Sequence, residues 1–282
     1  MKTSKTLAAL GLVLVTFIWG ATFVMVKDAL NDIDPYFFAG FRFGIATILS
    51  FFLLKRDEPL SPIEIIGGLY CGIFLFAGYA FQNYGLILTS PSRSAFITSV
   101  SVILVPLIQV FFLKKKVKNK LWISIGLATI GLYMLLNPGN EKINLGDIIT
   151  FGCALSFAVH ILFQDQYVNK KIRVINFFFF QSLIVTILSF LFNGFFESNI
   201  TQFSYSVTSA LFITGLLATF LSFLIMIWAQ KILSPSETAL IFSLEPVFAA
   251  MIAFLVIGES LGYLGWIGGL LVVVGVTLSN SD

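Results

Sequence analysis

Three titratable side chains stand inside otherwise apolar stretches. Glu245 is followed by Pro246 in "ALIFSLEPVFAA", His160 is the chain's only histidine, and Arg42 lies in "FAGFRFGIA". A carboxylate, an imidazole and a guanidinium can bind opposite charges, pass a proton or pair with one another. A proline beside the acid removes a backbone donor and can kink a helix, which frees a carbonyl for the same space. Each residue also has a structural reading. Glu245 could be a paired acid fixing its helix. His160 could be hydrogen-bonded to a neighbouring helix. Arg42 could snorkel to a surface or pair with Asp34 or Glu259.

The elements that must position these groups follow from composition. The 282 residues are 58% hydrophobic and 11% charged, against roughly 25% charged in a soluble domain. One globular core cannot hide that much apolar surface, so the bilayer is the expected solvent. Apolar runs of spanning length, about 20 residues, fall at 6–27, 35–54, 63–88, 93–113, 121–137, 147–167, 174–193, 207–230, 235–257 and 262–279. The expected fold is an all-α polytopic membrane protein of ten helices, its first run an uncleaved span rather than a removable leader. If the N-terminus is cytoplasmic, inner loops and ends carry thirteen basic residues and outer ones only Lys27, Arg93 and Lys142. That bias predicts cytoplasmic termini in a bacterial cytoplasmic membrane. A net charge of +3 dispersed over short loops excludes a nucleic-acid footprint. Cys71 and Cys153 sit within apolar runs without disulfide or metal spacing, and no motif implies a cofactor or a metal. No P-loop is present, which argues against ATP-driven pumping by this chain, and no catalytic constellation points to an enzyme.

The sequence repeats. At an offset of 144 positions Ser90-Pro91-Ser92 matches Ser234-Pro235-Ser236, Ala95 matches Ala239, Trp122 matches Trp266 and Gly131 matches Gly275. Laying span one on span six places Trp19 with Phe157 and Thr22 with His160. In the next spans Arg42 meets Gln181. Two halves, 1–140 and 141–282, of five helices each must enter the membrane from opposite sides. Inverted repeats are a plan of secondary transporters, with a site near the midplane between the halves. Glu245 lies about ten residues into its span, about 15 Å along the helix, on a stripe with Thr238, Phe242 and Ala249. The matching stripe in span four is Ser94, Thr98, Ser101 and Val105. A wider pool comprises Trp19, Phe23, Tyr79, Gln82, Asn83, Tyr84, Gln109 and Trp228, with Gln164 one turn beyond His160. Pro106 is the first half's later counterpart of Pro246.

The chain resembles the drug/metabolite transporter superfamily, in its ten-helix, two-repeat EamA-like type. The likeness rests on "FIWGATFVMVK", on Pro35 with "FRF", on "LTSPSRSAFITSVSVILVPLI" and "GDIITFGCALSFAVHIL", and on the run from "LSPSETALIFSLEP" through Gly258-Glu259 to Trp266. It implies transport of small polar or amphipathic metabolites, often as efflux. It also implies a central cavity lined by spans one to four and six to nine, with five and ten peripheral. The sequence departs from that pattern at Lys115, where an acid equivalent to Glu259 is common, and at Ser101, where the second half has Glu245. The expected function is alternating-access export of an amino acid or related compound, by a monomer or weak dimer, with protons as a possible coupling ion. A lipid scramblase and a drug efflux protein of the same fold are the alternatives.

Overall fold

The computed structural model describes residues 2–55, 59–136, 142–197, 202–257 and 262–280, so Arg56, Gly258 and Glu259 lie outside the described residues. Among these, every regular element is helical. The first half comprises α1 (Lys2–Ala29), α2 (Pro35–Phe52), α3 (Pro62–Leu88), α4 (Pro91–Thr98), α5 (Ser101–Phe111) and α6 (Asn119–Leu136). The second comprises α7 (Leu145–Val168), α8 (Val174–Phe196), α9 (Tyr205–Ile213), a π-helical segment (Thr214–Leu221), α10 (Ser222–Gln230), α11 (Pro235–Phe242), α12 (Glu245–Ile257) and α13 (Gly262–Asn280).

Local chemistry sets most helix starts. Pro35, Pro62, Pro91 and Pro235 occupy first turns, where a missing N–H costs nothing. Ser61 with Glu64, Asn144 with Asp147 and Ser234 with Glu237 form capping boxes, each satisfying two otherwise orphaned donors. Lys114 closes the turn after α5 in the left-handed region, at φ 52°.

Two predicted spans are not continuous. Span four breaks at Ser99–Val100 between α4 and α5, and span nine breaks at Ser243–Leu244 between α11 and α12. The breaks are equivalent, lying 144 positions apart. At each, the backbone tightens to three-residue bonds: Val100 N–H donates to Ile97 O at 3.1 Å, and Leu244 N–H to Ile241 O at 3.0 Å. At each, a serine hydroxyl competes for a carbonyl of the preceding turn. Ser99 Oγ donates to Ala95 O at 3.0 Å and Ser243 Oγ to Leu240 O at 2.6 Å, a pattern that bends helices. Pro246 cannot donate back to Phe242 O, so it accompanies the second break, while the first half breaks at the matching place with Val102 at the equivalent position. The break precedes Pro246, which occupies the first turn of α12, where proline is tolerated. In the first half α5 runs through Pro106, so that residue marks no break.

Packing knits the two halves together. α3 lies along α7 and α8, α2 along α8, and α1 along α12. Glycines permit the closest approaches. A Cβ on Gly72 would stand 2.9 Å from Gln181 O, and one on Gly20 would stand 2.7 Å from Glu245 O and 2.9 Å from Ala249 N. Gly20 thus seats α1 directly on the first turn of α12. Gly20→Val should lower stability in detergent by about 1–3 kcal/mol, the usual cost of overpacking, read as a fall in melting temperature. α6 and α13 pack on each other. Cys71 and Cys153 are buried and unpaired.

Ion pairs fasten both ends of the bundle. At the end where α1 begins, Lys5 pairs with Glu237 at 2.6 Å, Arg173 with Glu64 at 2.7 Å and Lys115 with Asp165 at 3.5 Å. At the other end Arg93 pairs with Asp147, which also accepts from Thr89 Oγ1 at 2.8 Å. Arg93 and Glu237 are the third residues of α4 and α11, so the inverted halves hold matching ion pairs of opposite sign at opposite ends. Asp147→Asn should destabilise the fold by about 3 kcal/mol, because it removes the charge that a largely buried guanidinium pairs with. Exchanging the two residues (Arg93→Asp with Asp147→Arg) should recover most of the lost melting temperature.

Candidate functional site

A cavity of about 50 Å³ lies where the halves meet, room for several water-sized bodies. Its wall repeats across the pseudo-two-fold relation. Trp19 and Phe157, Thr22 and His160, Phe23 and Ile161, Tyr79 and Phe223, Gln82 and Met226, Thr98 and Phe242, and Ser101 and Glu245 are repeat equivalents, and all fourteen line it. Arg42 and Ser99 complete the polar set. The shared sequence pattern therefore generates the outline of the cavity, and the substitutions within each pair generate its chemistry. The first half contributes hydroxyls, an amide and the guanidinium. On the second-half wall the only polar side chains of those pairs are His160 and Glu245.

Arg42 is buried and held by neutral groups. Its Nε donates to Thr219 Oγ1 at 2.7 Å, and its Nη2 donates to the Tyr79 hydroxyl at 3.1 Å and to Ala218 O at 3.5 Å. The guanidinium carbon lies 4.5 Å from the centre of the Tyr79 ring, close enough for a cation–π contact. Asp34 is not its partner: among the described residues Arg42 has no ion pair, and Glu259 lies outside them. A guanidinium carries five N–H donors. Those on Nη1 make no hydrogen bond among the described residues, leaving a cationic donor pair beside the cavity.

The π-helical segment supplies part of this cradle. Its wider turn presents Ala218 O, which accepts from Trp19 Nε1 at 2.8 Å as well as from Arg42. A π-turn of this kind is a frequent companion of functional sites. Nothing in "TGLLATFL" announces it. Trp19 also meets Phe242 and Phe223, with ring centres 5.0 and 5.7 Å apart.

Glu245 begins α12 at the helix break and is 6% exposed. No hydrogen bond to its carboxylate is found among the described residues. The helix N-terminus it occupies favours negative charge. His160 does not bond to it. Instead His160 Nε2 lies 3.0 Å from Gln181 Oε1, Gln181 Nε2 donates to Gln164 Oε1 at 3.2 Å, Gln164 donates to Gln230, and Gln230 Nε2 donates to Ile161 O at 3.3 Å.

Several residues of the wider pool lie elsewhere. Asn83 donates to Pro35 O at 3.2 Å, Tyr84 donates to Glu197 Oε1 at 2.8 Å, and Gln109 accepts from Ser236. Gln181 stands behind His160, and Trp228 packs on the core. Within the two stripes, Thr98, Ser101, Phe242 and Glu245 reach the cavity. Ser94 and Thr238 are buried with no hydroxyl partner among the described residues, Val105 is in the core, and Ala249 faces Gly20. Span seven, expected on the wall, contributes no lining residue, and neither do α6 and α13. Ser99, absent from the expected set, lines the cavity at the break. Its repeat equivalence with Ser243 was the available signal.

A bundle of apolar, interrupted helices in two inverted halves around a shared cavity is a plan found in membrane transporters. The chain belongs to the EamA-like transporter family, whose sequence profile matches residues 6–137 and again 144–281. It is 35% identical over 272 residues to an uncharacterized transporter of Archaeoglobus fulgidus, covering 96% of this chain and 85% of that one. It is 25% identical over 279 residues to a protein of Escherichia coli named "Probable amino-acid metabolite efflux pump", covering 94% of this chain and 92% of that one. A crystal structure 15% identical in sequence superposes with a TM-score of 0.78, over 99% of this chain and 97% of the other. At that identity the match speaks for the fold alone.

Proposed function

We propose that the protein is a secondary transporter that exports a small zwitterionic metabolite, an amino acid or related compound, across the cytoplasmic membrane by alternating access. The observation that carries this reading is the placement of Arg42 and Glu245 on one small cavity between the inverted halves, without an ion pair joining them. The free Nη1 donors of Arg42 suit a carboxylate. Glu245 suits an ammonium group, and the Trp19, Tyr79, Phe157 and Phe223 rings exclude water around it. The name of the Escherichia coli relative points to the same substrate class. The two end pairs, Arg93–Asp147 and Lys5–Glu237, serve as alternating latches, and the basic excess beside α1 sets that end, with both termini, in the cytoplasm.

The test is efflux from proteoliposomes preloaded with labelled amino acids, with and without an imposed pH gradient. Saturable efflux of at least one amino acid, faster with protons driven inward, is expected. Absence of any amino-acid flux together with transbilayer movement of a labelled lipid would replace this reading with that of a scramblase.

A further inference from the structure

The amide chain behind His160 has a fixed direction. Ile161 O can only accept, so Gln230 must turn its NH2 toward it. Its oxygen then faces Gln164, which must donate. The same logic makes Gln181 donate to Gln164 and present its own Oε1 to the imidazole. An amide oxygen cannot donate. The ring nitrogen opposite it, Nε2, must therefore carry a hydrogen.

We infer that Gln181 is a positioning residue that holds His160 as its Nε2–H tautomer, so that Nδ1 is the nitrogen offered to the ligand. The inference rests on the transporter reading for its ligand and deepens it. Nδ1 has no hydrogen bond among the described residues, while His160 lines the cavity and its ring is kept upright by an edge contact with Phe223, ring centres 6.1 Å apart. The neutral imidazole then presents a bare acceptor. Arg42, on the same cavity wall, offers only donors. A ligand satisfies both only with an N–H group toward His160 and its anionic group toward Arg42. That orientation selects for a primary or secondary amine and against its quaternary analogue, which has no N–H to give.

Because His160 is the only histidine, ¹⁵N-histidine labelling yields the imidazole spectrum of this one site. The full chain in lipid nanodiscs at neutral pH should show a neutral ring protonated at Nε2. Gln181→Leu should release the constraint and populate the Nδ1–H tautomer, and Gln181→Glu, whose carboxylate again accepts, should restore Nε2–H. A wild-type ring protonated at Nδ1 overturns the inference without needing any variant to fold, and so does a Gln181→Leu spectrum identical to wild type. The readout needs no substrate. A wrong tautomer therefore leaves the transport proposal standing, and a failed transport assay leaves the tautomer result intact.

Discussion

Glu245→Gln is expected to slow efflux of a transported zwitterion by about 10- to 100-fold, with the melting temperature nearly unchanged. The size follows from a charge-assisted hydrogen bond, worth about 1.5–3 kcal/mol, at about 1.4 kcal/mol per factor of ten. Stability should be spared because the carboxylate has no hydrogen-bonded partner to strand among the described residues. The amide keeps the shape, and the Ser243 bond to Leu240 O at the break is untouched. Flux at several external pH values separates the possible roles of the acid. If Glu245 only contacts the ammonium group, the variant loses apparent affinity and keeps its response to a pH gradient. If it also carries the coupled proton, the gradient response disappears. Unchanged flux at every pH would remove Glu245 from the transport mechanism.

Arg42→Lys should raise the apparent KM by at least about tenfold and also lower the melting temperature. An ammonium keeps the charge but not the fork that reaches Thr219, Tyr79 and Ala218 while leaving Nη1 free. The Thr219 and Tyr79 hydroxyls lose a charged donor in a buried setting, which costs about 1–3 kcal/mol for each group left unsatisfied. Thr219→Val in the wild-type background isolates the structural share. It removes one support of the guanidinium without touching the cavity wall, so its effect should fall mainly on stability. A normal KM in Arg42→Lys would show that charge alone, rather than bidentate geometry, holds the anionic end.

Much of this architecture is legible in the sequence, because bilayer burial writes itself as apolar length and the duplication writes itself as a repeated Ser-Pro-Ser. The pairing of Trp19 with Phe157 and of Thr22 with His160 can be read from alignment of the halves. What cannot be read is anything decided by angle. Asn83 and Gln82 are chain neighbours of the same polarity, yet only Gln82 faces the cavity, since a helical turn of 100° separates neighbours. The π-turn, whose Ala218 O serves Trp19 and Arg42, carries no marker residue in "TGLLATFL". The break was hidden behind Pro246, the more conspicuous helix breaker, although Ser99 and Ser243 sit at matching positions and the first half bends without a proline there.

That shared bend has a consequence for symmetry. Both halves make it, and Pro246 is present in only one of them. Consider two identical five-helix chains inserted in opposite orientations. Two-fold symmetry then forces every wall residue to appear twice, so an acid on one side demands the same acid on the other. Two unequal halves in one chain escape that constraint, with Glu245 opposite Ser101 and Arg42 opposite Gln181. Polarity along the cavity, and with it the ability to hold a ligand one way round, is therefore a property that a symmetric pair could not have.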